Sequence, residues 1–145
     1  MMEENLKRAI LLDHYQNPRN KGLSDDARYR LVHMASDSCI DDIKVQVLIE
    51  GNIIKDVRFD GVGCTISFAS TSIMSEMLIG LSRDEGLHLI QEYYNMIDEK
   101  EYDDELLEEA NAFDTLYKQA NRIKCGTIGI KAMEQLIKES YAYEE

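Results

Sequence analysis

Apolar and polar positions recur at helical spacing from the start of the chain. Leu6, Ala9, Ile10 and Asp13/His14 share one stripe between about Glu3 and Tyr15, with extra apolar cover from Leu11 and Leu12, which predicts an amphipathic helix. Pro18, the only proline, disfavours helical backbone at Asn17 and so stops it. From Gln16 to Ser38 the chain reads as loop, because Asn17-Pro18-Arg19-Asn20, Lys21-Gly22 and Ser24-Asp25-Asp26 are turn formers. A loop of that length in a compact domain is a place to look for function.

The period then changes to two. Ile43, Val45, Val47 and Ile49 alternate with Lys44, Gln46 and Leu48, Glu50-Gly51-Asn52 supplies a hairpin turn, and Ile53 to Phe59 returns as a second strand. Asp60-Gly61-Val62-Gly63 ends or bends it. A helix follows from about Ser67 to Leu78, with Ala69, Ile73, Met74 and Met77 on one stripe and Gly80 as its stop. Ser82-x-x-Glu85 is a capping box opening another helix to about Ile97, whose apolar stripe includes Leu87, Ile90, Tyr94 and Ile97. A last helix is expected from about Thr127 to Tyr141, with Ile128, Ala132, Met133, Leu136 and Ile137 inward. Helix, strands, then helices is the order of an α+β fold, with helices packed on one face of a small antiparallel sheet.

Length and charge narrow the function classes. One domain spanning residues 1–145 is the natural reading of a 145-residue chain. Lys and Arg number 16 against 28 Asp and Glu, a net charge of −12, which argues against a nucleic-acid partner because phosphate binding rests on clustered basic residues. Between Asp98 and Glu109 eight acidic residues meet one lysine, a solvated face or a docking surface for a basic partner. No apolar run reaches the ~18 residues of a membrane span, and the start, Met1-Met2-Glu3-Glu4-Asn5, is acidic where a signal peptide is basic. A cytoplasmic location is expected.

Three cysteines cannot all pair, so core filling, metal binding or thiol chemistry remain open for Cys39, Cys64 and Cys125. Each is expected where a regular element begins: Cys39 before the first strand, Cys64 and Cys125 just before helices. Helix N-termini favour thiolate over thiol, and Arg122 and Lys124 would push Cys125 the same way. The spacings, 25 and 61 residues with no Cys-x-x-Cys pair, carry little metal signal by themselves. Asp41, two residues after Cys39, adds a carboxylate that would complete a four-coordinate shell for Zn²⁺ or iron, and adjacent Asp42 could substitute. His14, His33 and His88 read as surface or half-buried imidazoles. Phosphate loops, dinucleotide fingerprints and Gly-x-Ser-x-Gly elbows are missing from the sequence.

Four segments, in order along nearly the whole chain, resemble one family. Asp13-His14-Tyr15-Gln16-Asn17-Pro18-Arg19-Asn20 is similar to the Asp-His-Tyr-x-Asn-Pro-Arg-Asn opening of iron–sulfur cluster assembly proteins of the SufU/IscU/NifU type. Cys39-Ile40-Asp41 resembles their Cys-Gly-Asp, Gly61-Val62-Gly63-Cys64-Thr65-Ile66-Ser67 their Gly-x-Gly-Cys-x-Ile-Ser, and Arg122-Ile123-Lys124-Cys125 their Arg-x-x-Cys. The SUF-type subgroup fits best: Lys124 stands where the ISC type has His, no Leu-Pro-Pro-Val-Lys is present, and the acidic run lies in a SUF-type insertion between Cys64 and Cys125. Ile40 replaces the family's Gly, and Ser36-Asp37-Ser38 lacks the Asn-Pro that often precedes the first cysteine.

The resemblance implies a three-stranded antiparallel sheet with helices on one face and an exposed site at one end of the sheet. It also implies Zn²⁺ held by Cys39, Asp41, Cys64 and Cys125. Sulfur would come as persulfide from a pyridoxal-phosphate (PLP) cysteine desulfurase of the SUF type, with Cys39 as acceptor and Arg122 as electrostatic support. Recipients would be apo iron–sulfur proteins or the SUF assembly complex. At most this is a zinc-dependent sulfurtransferase. The alternative is a scaffold that builds a labile [2Fe–2S] cluster on Cys39, Cys64 and Cys125. An acidic adaptor whose cysteines only fill the core is the third reading, and it predicts no bound metal.

Overall fold

The computed structural model describes residues 2–35 and 40–143; Ser36, Asp37, Ser38 and Cys39 lie outside the described residues. The elements run α1 (Glu4–Gln16), β1 (Arg30–Ala35), β2 (Asp42–Glu50), β3 (Ile53–Val62), α2 (Thr65–Leu78), α3 (Arg83–Ile97), α4 (Asp104–Leu107) and α5 (Ala120–Ser140), with short 3₁₀ turns around them. The three strands form an antiparallel sheet in the order β1-β2-β3. The fold is α+β, as expected.

The hairpin forms where the pattern places it: Glu50 pairs with Ile53, and Gly51 takes the left-handed conformation at φ 61°. Ile43, Val45 and Val47 of β2, with Val57 and Phe59 of β3, turn into the core against α2 and α5. On the other side of β2, Gln46 is covered by the loop before β1: its amide exchanges hydrogen bonds with the N–H and carbonyl of Ser24. Strand β1 was expected as loop. Its Val32 and Met34 do alternate inward against the core, but Arg30, Leu31, His33 and Ala35 are exposed, so an edge strand this polar shows almost no period-two signal.

Three helices differ in detail from the reading of the pattern. In α1 the expected stripe holds for Ile10 and His14, which are buried, but Lys7 joins them while Leu6 and Ala9 face solvent. The reason is polar: Lys7 pairs with Asp114 and His14 meets Glu109, both from the segment after α4. In α3 the capping box of Ser82 and Glu85 is formed in both directions, but the deepest residues are Leu89, Ile90, Tyr93, Met96 and Ile97, with Leu87 and Tyr94 at the margin. Helix α5 starts seven residues before the expected point. Gly126 and Gly129 serve close packing: a Cβ on Gly126 would lie 2.3 Å from Leu116, and one on Gly129 would lie 2.0 Å from the Thr71 hydroxyl on α2.

Helix α2 is buried nearly all round, Ser67, Ser70, Thr71, Ser72 and Ser75 included, because α1, α5 and the sheet enclose it. The buried hydroxyls bond back to carbonyls of their own helix or to the groups described below. The eight acidic side chains between Asp98 and Glu109 are all exposed, as a solvated face requires, while Leu107 anchors that segment in the core. No helix among the described residues is long and apolar enough to cross a membrane.

Candidate metal centre

Antiparallel pairing of β2 with β3 sets Asp42 opposite Val62, so the residue before β2 and the residues after β3 meet at one end of the sheet. Gly61 makes that end possible. It sits at φ 133°, and a Cβ there would lie 2.1 Å from the Asp42 carbonyl oxygen. Asp41 and Cys64 are therefore neighbours although 23 positions apart in the chain. Asp41 is 1% exposed, and its Oδ1 accepts the Cys64 N–H at 3.0 Å and the Ser67 hydroxyl at 2.9 Å.

Cys64 is the N-cap of α2, as its place before the helix predicts, and its Sγ accepts the Ser67 N–H at 3.5 Å. The third group comes from α5, which packs on α2 through the Gly129–Thr71 contact; Cys125 lies one turn earlier. One donor atom each from Asp41, Cys64 and Cys125 lie within 4.8 Å of one another. Positions far apart in the chain thus converge. Cys39, the expected fourth ligand and sulfur acceptor, lies outside the described residues.

Two expectations need correcting. Cys125 is not at a helix N-terminus but six residues into α5, 3% exposed. The dipole effect is confined to the first turn, so it does not offset desolvation at Cys125. Burial pushes the Cys125 thiol up to about 12, and the hydrogen bond and negative charge of Cys64, then of Asp41, act in the same direction. The site is also less open than expected, since two of its three described donors are buried and Cys64 is half-buried. Exposed apolar side chains flank it: Ile40, 67% exposed, precedes Asp41, and Val62 ends β3.

Two thiols and a carboxylate crowding one another match the donor set of a zinc or iron site. A cation there would offset both the burial and the negative neighbours that raise the Cys125 thiol. Arg122 is exposed in the first turn of α5, one turn before Cys125, and Lys124 is exposed beside it. Asp42, the possible substitute for Asp41, is exposed and engages the His33 imidazole instead. Sequence reasoning gave no role to Ser67, although it closes the Cys-x-x-Ser segment that caps α2.

A second group of ligand-type side chains, His14, Glu76 and Glu109, also comes within 4.8 Å. His14 has no exposed surface, against the expectation of a surface or half-buried ring; its Nδ1 lies 2.8 Å from the Ser72 hydroxyl and its Nε2 3.2 Å from Glu109 Oε1. Arg19 lies beside this group, 2.7 Å from Asp13 and 3.9 Å from Glu76. Its guanidinium already supplies positive charge there. His33 and His88 are exposed, as expected.

Known proteins carry the same architecture. The chain is 37% identical over 133 residues to the zinc-dependent sulfurtransferase SufU of Bacillus subtilis, covering 91% of this chain and 89% of that protein. It is 34% identical over 133 residues to the iron–sulfur cluster assembly scaffold protein IscU of Streptococcus pyogenes, covering 91% and 82%. The solved structure of a candidate SUF-system assembly scaffold from Fervidobacterium islandicum superposes with a TM-score of 0.75 at 29% identity, covering 86% of this chain and 91% of that one. Residues 6–142 match the family model of the NifU-like N-terminal domain, and the chain belongs to that family.

Proposed function

We propose that this chain works in iron–sulfur cluster biogenesis, as a zinc-dependent acceptor and carrier of persulfide sulfur. The convergence of Asp41, Cys64 and Cys125 within 4.8 Å carries the reading, and the likeness to a zinc-dependent sulfurtransferase supports it. Asp41, Cys64 and Cys125 would hold the metal, with Cys39 as fourth ligand. Bound zinc supplies a cation that keeps neighbouring sulfurs ionised at neutral pH.

The protein's own chemistry is that of an acceptor thiolate. A PLP-dependent cysteine desulfurase presents a persulfide, and the Cys39 thiolate attacks its outer sulfur. A sulfur–sulfur bond forms on Cys39 as the one on the desulfurase breaks, and the desulfurase cysteine leaves as thiolate. Arg122 gives electrostatic support from the first turn of α5. The persulfide then passes toward apo iron–sulfur proteins or their assembly complex. A reducing cytoplasm suits this chemistry because it keeps all three thiols free.

The second reading, a scaffold for a labile [2Fe–2S] cluster on the three cysteines, draws on the 34% identity to a protein named as such a scaffold. Metal analysis of anaerobically purified protein separates the two. About one zinc per chain and a colourless solution are expected, with the thiols slow to alkylate until a chelator removes the metal; a brown, iron-loaded protein favours the scaffold. Cys39→Ala should end transfer of labelled sulfur from the desulfurase. Undiminished transfer to that variant would remove Cys39 from its role, and a metal-free protein with inert thiols would leave only the acidic adaptor.

A further inference from the structure

Ser67 touches two of the three described donors at once. Its hydroxyl lies 2.9 Å from Asp41 Oδ1 and 3.0 Å from the Cys64 carbonyl oxygen, and its N–H points at the Cys64 sulfur. A hydroxyl has one proton to give, and the charged acceptor takes the stronger bond. Ser67 is fully buried, where an unpaired hydroxyl is costly. Gly63 keeps the space: a Cβ there would lie 2.4 Å from Ser67 Oγ.

From this geometry we infer that Ser67 is a positioning residue of the metal centre, which clamps Asp41 by Oδ1 and so sets the orientation in which the carboxylate meets the ion. The inference rests on Asp41 being a ligand, as proposed above. Two donors, the Cys64 N–H and the Ser67 hydroxyl, converge on Oδ1 and fix the rotation of the carboxylate about its Cβ–Cγ bond. A ligand held in this way pays no rotational cost when the ion arrives, and it binds through one oxygen. The sulfur of Cys64 is oriented by the same residue, from its backbone. One serine thereby links the carboxylate at the start of β2 to the thiol at the start of α2.

The test is a double-mutant cycle on zinc affinity, read by competition with a chromophoric chelator on the full chain. Ser67→Ala should weaken zinc binding about tenfold, the size of effect usual for a partner of a metal ligand. In an Asp41→Ala background the same change should cost nothing further, because the hydroxyl would have no carboxylate to hold. Tight zinc binding by the wild type with Ser67→Ala unchanged overturns this inference alone. An equal loss in both backgrounds also overturns it, since Ser67 would then act through the fold. A wild type that binds no zinc overturns the reading of the centre itself. Where Ser67→Ala does not fold, the infrared difference spectrum of the wild type on zinc binding decides, with Asp41→Asn as the band assignment. The wide carboxylate splitting of one-oxygen coordination is expected, and the narrow splitting of a chelating carboxylate overturns the clamp.

Discussion

The two ends of α2 carry similar residue types and put them to different uses. At the amino end, Asp41 takes an N–H and a hydroxyl beside Cys64 and Cys125, and burial, reinforced by these neighbours, drives the Cys125 thiol upward. Glu76, about 18 Å further along the helix axis by the rise per residue, gathers with His14 and Glu109 on the far side of Ser72, with Arg19 beside them. The second group holds its own cation and ties the acidic segment onto α1. The first is a set of electron-pair donors that an added cation would bind together. Convergent carboxylates and ring or sulfur donors therefore become a strut or a site according to what lies among them.

The widest test of this contrast is Lys7→Ala. Lys7 is buried and paired with Asp114 on the segment that Glu109 also anchors, so its loss strands a largely buried carboxylate and should cost about 3–5 kcal/mol in urea unfolding. Zinc content should not change. Burial lowers the Lys7 pKa, but Asp114 and Glu4 outweigh it and hold the ammonium above its usual 10.5. Its contribution is thus complete below the unfolded value and lost as pH rises through the folded one, so the wild type should shed stability in that alkaline range and Lys7→Ala should shed less.

A smaller effect is expected from His14→Ala, about 2 kcal/mol, through a buried cavity and the loss of the ring's bond to the Ser72 hydroxyl, which keeps only the Arg19 N–H. Sulfur acceptance measured alongside should stay at the wild-type level; a parallel fall in zinc affinity would break the separation of the two ends. Glu109→Gln should be the mildest, under ~1 kcal/mol, since that carboxylate is half exposed. Its value is in metal counting: if the wild type binds a second ion that Glu109→Gln loses, the strut is a site after all.

Much of the plan was legible along the chain. The hairpin at Gly51, the Ser82–Glu85 box and Cys64 ahead of α2 depend on neighbours within a few residues, where turn and capping chemistry act. Strand β1 was hidden because an edge strand needs only one side of its pattern. The early start of α5 was hidden because its opening stretch carries exposed Ala120, Asn121, Arg122 and Lys124 and so shows little apolar period.

Local pattern by itself determined the β2–β3 hairpin, the long helices and the positions that carry sulfur and carboxylate. Only the tertiary arrangement decided that Cys125 is a buried mid-helix thiol, that Lys7 and His14 face inward, and that Ser67 holds Asp41. Each of these depends on groups brought together by strand pairing and helix packing. Desolvation and charge at such a point are set by partners tens of residues away, which periodicity cannot register.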